Sequence, residues 1–131
     1  WIYSDEEQQV GLLAETQNYS RSEKDFPPVQ GTWDYRGSRI WLNGQEVAPP
    51  HWSNQTMEHD NELPLGNENL AVRQPIPVTL QKGWNSLLLK LPVGQFNTPE
   101  VRLVKWMFAA TLTTPDGREA AHGIRYAVEK R

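Results

Sequence analysis

The chain has 131 residues, enough for one domain with a real core, and carries a formal net charge of −3 with no cysteine. A disulfide framework and a thiolate metal site are therefore excluded, and the interspersed charges leave no basic stretch of the kind nucleic acid demands. No segment has the apolar length of a membrane span and no secretory leader opens the sequence, so no membrane insertion is expected; starting at Trp1, it reads as a piece of a longer protein.

Six Trp, ten Pro and nine Gly, with little helical periodicity, point to an all-β chain punctuated by turns. In chain order, a first strand is expected near Val10 to Tyr19, followed by a polar loop from Ser20 to Gln30 that ends in Pro27-Pro28. From Ser38 to Val47 the run Ile40-Trp41-Leu42 meets Asn43-Gly44, the strongest short hairpin signal, because a type I′ turn needs positive φ at both central residues. Pro49-Pro50 closes that unit. His51 to Leu70 is the longest irregular stretch, and a loop of that length inside a domain is usually functional or mobile.

From Pro75 to Pro92 two alternating runs, Ile76-Val78-Leu80 and Leu87-Leu89-Leu91, flank Lys82-Gly83 and are expected to pair as a β-hairpin. Val101 to Leu112 is expected as a strand with Val104, Trp106, Phe108, Ala110 and Leu112 on one face. Thr114-Pro115-Asp116-Gly117 is a turn, and a last strand runs roughly from Ala121 to Val128. Short strands with turns between them predict two antiparallel sheets packed face to face, closed as a jelly roll in one domain spanning 1–131.

The chemistry on offer is sparse. The three histidines are His51, His59 and His122, and there is no nucleophile elbow, P-loop or dinucleotide fingerprint. Glycoside hydrolysis needs two carboxylates; Glu15 and Asp34 have the least surface-like contexts, with a capping or solvated role as the plainer reading. Glu58, Asp60 and Glu62 gather oxygen ligands on the long loop, where calcium is the cation that would use them, against the ordinary reading of a polar loop. Zinc on His51 and His59 has no supporting geometry. Sugar sites combine an aromatic face with a few placed polar groups. Trp33, Tyr35 and Trp52, with Arg36 and Asn54 as hydroxyl partners, are the candidates for such a site. The competing reading has Trp33 plugging the end of the sandwich and Trp52 pinning its loop. Trp41, Trp84 and Trp106 sit in or beside strands and are expected to be core or edge packing.

Two stretches carry a resemblance: Gly31 to Trp52, containing Trp41-Leu-Asn-Gly44 and Pro49-Pro-His-Trp52, and Asn69 to Leu91, containing Lys82-Gly-Trp-Asn85 and Leu87-Leu-Leu-Lys90. Arg102 to Phe108, Thr114 to Gly117 and Gln17 to Glu23 continue it. These resemble the C-terminal, galactose-binding-like module of bacterial β-N-acetylhexosaminidases of glycoside hydrolase family 20. The resemblance implies a jelly-roll accessory domain of an exported enzyme, periplasmic, cell-surface or secreted. Its partner would be the catalytic TIM barrel of the same parent chain, where the acid/base pair of that family resides. N-acetylhexosamine-containing glycans are the implied ligands, and related folds often hold a structural calcium. No catalytic residue is implied for this chain. Two roles follow: a carbohydrate-binding module, or a structural domain that buttresses the barrel or mediates protein contacts. A free-standing enzyme ranks well behind both.

Overall fold

The computed structural model describes residues 1–20, 29–34, 36–52, 74–92 and 103–130. Among these there is no helix, and nine strands form three antiparallel sheets. The strands are β1 (Ile2–Ser4), β2 (Gln8–Ser20), β3 (Arg39–Leu42), β4 (Gln45–Glu46), β5 (Ile76–Leu80), β6 (Gly83–Asn85), β7 (Leu87–Lys90), β8 (Leu103–Thr113) and β9 (Ile124–Tyr126). The sheet orders are β6-β1-β9, β5-β2-β8 and β4-β3-β7. This all-β arrangement is compatible with a β-sandwich. One apolar cluster draws Ile2 from the first sheet, Val10, Leu12, Ala14, Leu80 and Leu112 from the second, and Ile40 and Leu42 from the third.

The Asn43-Gly44 turn forms as its residues require. Asn43 has φ 50° and Gly44 φ 78°, and Leu42 faces Gln45 across the two-residue loop. The first strand also forms where expected and is longer, while the strand over 101–112 is β8, paired with β2 along ten register positions from Gly11↔Thr113 to Ser20↔Leu103. Tight packing fixes part of this pairing: a Cβ on Gly11 would lie 2.6 Å from both Pro75 Cβ and Thr113 Oγ1.

The hairpin expected between Pro75 and Pro92 does not form. β5 pairs with β2, β6 with β1 and β7 with β3, so three consecutive strands disperse into three sheets. The cause is Asn85, which is fully buried. Its Nδ2 donates to the carbonyls of Gln81 (2.8 Å) and Gly83 (3.1 Å), and its Oδ1 accepts from the Gln81 N–H (2.9 Å). The side chain thus satisfies backbone groups that a hairpin partner would otherwise take, and the chain is free to change sheets. The same Oδ1 accepts from Asn43 Nδ2 (2.7 Å), while Asn43 Oδ1 accepts from the Ser86 N–H (2.9 Å). Trp-Leu-Asn-Gly and Lys-Gly-Trp-Asn are therefore two halves of one lock.

The last strand is also shorter than expected. It stops at Tyr126, and Val128 lies beyond it, almost wholly exposed. Among the described residues β5 is an edge strand, and it carries Pro77, which cannot donate to a further strand.

Candidate functional site

The loop after Gly31 is built around Asp34, a buried carboxylate. Its Oδ1 accepts from the backbone N–H groups of Arg36 (2.9 Å) and Ser38 (3.2 Å), and its Oδ2 from Thr16 Oγ1 (2.7 Å) and the Ser38 hydroxyl. Asp34 therefore ties the loop to β2, and four donors occupy its acceptor sites. Its role is the capping one, in a buried rather than solvated setting. Glu15 is buried as well, on the central strand of its sheet.

Of the residues expected to meet a sugar, Trp33, Arg36 and Trp52 fall within the described residues; Tyr35 and Asn54 lie outside them. Trp33 is 3 % exposed and Trp52 8 %. Trp52 is held from both ends: its indole N–H donates to the Thr32 carbonyl (2.9 Å), and its backbone N–H to Gln30 Oε1 (3.0 Å). The Gln30 amide returns a bond to the Trp52 carbonyl. Neither indole presents a free face, so the plug-and-pin reading fits their burial, and stacking a pyranose on either would require the loop to open. The Trp33 indole N–H is buried with no acceptor among the described residues. The expected calcium ligands Glu58, Asp60 and Glu62, and His59 of the zinc alternative, also lie outside the described residues. Within the described residues, no three metal-ligating side chains cluster. His122 pairs with Glu119 at 3.3 Å, both well exposed and away from any described cleft.

The exposed aromatic surface lies elsewhere, among residues read as core or not singled out. On β1, Ile2 and Ser4 face inward, so Tyr3 faces outward. The register places Trp84 and Arg125 on either side of it. The Tyr3 and Trp84 rings meet edge to face at 5.2 Å. The Arg125 guanidinium lies 4.2 Å from the Tyr3 ring centre and 5.6 Å from that of Trp84. One row along, Trp1 and Ala127 exchange backbone hydrogen bonds, and the Lys130 ammonium sits 5.5 Å from a Trp1 ring. Alternation over Trp1-Ile2-Tyr3-Ser4 was the available signal. It was hidden because the partners of β1 come from 79 to 124 residues away.

A second surface is lined by apolar side chains. Leu89 and Leu91 face Trp106, Met107 and Phe108 across an open cleft of about 620 Å³. The three β8 residues are 53 %, 51 % and 55 % exposed. Trp106 thus is not a core residue; its indole N–H reaches the Leu91 carbonyl at 3.3 Å, bracing the cleft. In the register Leu112 and Ala110 lie beside the buried Leu12 and Ala14, and Phe108 lies beside Thr16, whose hydroxyl donates to Asp34. A third groove, about 650 Å³, runs between β4 and β5 over Leu42, Val47, Ile76 and Val78, with Glu7 and Gln45 at its rim.

No family model, curated protein or solved structure matches the chain.

Proposed function

We propose that the chain is a non-catalytic, jelly-roll accessory module of a glycoside hydrolase of the β-N-acetylhexosaminidase type, seated against the catalytic barrel of its parent and exported with it. The observation that carries this reading is the open cleft of Leu89, Leu91, Trp106, Met107 and Phe108. Its lining is apolar, and a contiguous exposed apolar surface of this kind marks a contact with another protein surface. The Asn43–Asn85 lock adds support, because it gives a structural purpose to the two motifs on which the family resemblance rests.

The test is made on the parent enzyme with a chromogenic N-acetyl-β-glucosaminide. Trp106→Lys with Phe108→Lys should lower its melting temperature by several degrees while leaving KM unchanged. A parent inactive on that substrate would sink the family assignment, and an unshifted melting temperature would sink the cleft as the contact.

Carbohydrate binding is a second reading, favoured by a different observation: the half-buried rings of Tyr3 and Trp84 lie in one row with the exposed Arg125, an aromatic surface beside a polar group. On this reading the module would hold glycan near the barrel and raise its local concentration.

A further inference from the structure

Several features outside the motifs invite a function, and most are explained by the fold itself. The β4–β5 groove has an apolar floor continuous with the core but no aromatic platform and a proline-blunted edge. Asp34 and Asn85 are buried and fully engaged in tying backbone together. The outer face of the β6-β1-β9 sheet differs, because its cations have aromatic neighbours and, among the described residues, no carboxylate partner.

Arg125 is exposed, and its guanidinium lies against the rings of Tyr3 and Trp84. No carboxylate among the described residues pairs with it, nor with Lys130 over Trp1. The stacking holds the planar guanidinium in place without using its N–H donors, so the fork is preorganised and available. A carboxylate or sulfate is the group that fits such a fork, two oxygens against two N–H donors. Beside the fork, Trp84 is half-buried and carries an aromatic surface suited to the apolar side of a pyranose. The overall charge of −3 is not the source of this complementarity; it is local, with two cations on one sheet face.

We propose that the outer face of the β6-β1-β9 sheet binds an anionic saccharide, with the sugar's carboxylate or sulfate on the Arg125 guanidinium and its ring against Trp84. The proposal rests on the carbohydrate-binding reading and specifies its ligand class. Lys130 adds a second positive charge one row away, which favours an oligosaccharide with repeated negative groups over a single charged sugar.

The experiment titrates the 131-residue chain, at low salt, with three probes: tetragalacturonate, chitotetraose and tetraglutamate, followed by calorimetry and tryptophan fluorescence. Tetragalacturonate is expected to bind, to weaken as salt rises, and to lose about tenfold or more in affinity in Arg125→Gln. Arg125→Lys, which keeps the charge and loses the fork, should fall between. Arg118→Gln, a charge removed from the Asp116 turn, should bind as the unmodified chain does. Tetragalacturonate binding that ignores Arg125→Gln overturns the site. Chitotetraose binding equally well in Arg125→Gln overturns the anionic class while leaving carbohydrate binding intact. Tetraglutamate binding as tightly as tetragalacturonate overturns the saccharide as ligand, and no binding of any probe overturns both readings together.

Discussion

Asn85 does at one position what a strand partner does elsewhere. With no exposure and five polar contacts, it satisfies the turn that separates three sheets. Asn85→Ala should therefore cost about 3 kcal/mol, since several buried backbone groups and Asn43 lose their partner at once. Denaturant unfolding measures it, and a loss under about 1 kcal/mol would show that the turn holds itself. Because Asn43 shares the network, the double variant should cost less than the two single losses added. Asn43-Gly44 was readable in the sequence, since its backbone geometry is a local property of those two residues. Asn85 was not, because its partners include a carbonyl 83 residues away in Ile2.

Among the elements, β2 governs the second sheet, and its closest approach to its neighbours is at Gly11. Gly11→Ala would drive a methyl into Pro75 and the Thr113 hydroxyl, two neighbours with little room to retreat. It should destabilise the chain by about 1–3 kcal/mol, as overpacking does; an unchanged denaturation midpoint would show that β5 can shift outward. The β8 strand was legible from its apolar run, and β2 only in outline. The β5 to β7 segment was misread as a hairpin because alternation reveals which residues face inward but not which strand lies alongside. Of the tryptophans, Trp33 and Trp52, on loops, are buried as the plug-and-pin reading has them, whereas Trp106, on a strand, is more than half exposed and so is an edge rather than a core residue.

For the whole molecule, acid is expected to weaken the fold partly through two surface carboxyls. Glu46 accepts a forked pair of hydrogen bonds from Arg39, which holds its carboxyl below the ordinary 4.5. Asp116 accepts from the Thr114 hydroxyl (2.6 Å) and the Arg118 N–H (3.1 Å), which hold it below 3.8. A carboxyl lowered in the folded state contributes its stability in full above its unfolded value and loses it as pH falls through the folded one. Glu46→Gln with Asp116→Asn should thus lose less stability between about pH 6 and pH 3 than the unmodified chain, and high salt should shrink the difference. Equal pH slopes for the two proteins would count against it. That the chain is all-β was legible from turn residues and aromatics; that its surface divides into an apolar cleft and an aromatic, cationic sheet face required the register.

Pro77 on the edge strand β5, with Pro75 just before it, also bears on how many copies of the chain can live together. A sheet edge with all its donors is a template on which a neighbouring molecule can crystallise its own strand, and every such event offers a fresh edge to the next. Two rings in place of two N–H groups interrupt that succession at its first step. The crowding that any exported or highly expressed protein meets while its strands are still finding their places is thereby made less hazardous along this side of the molecule.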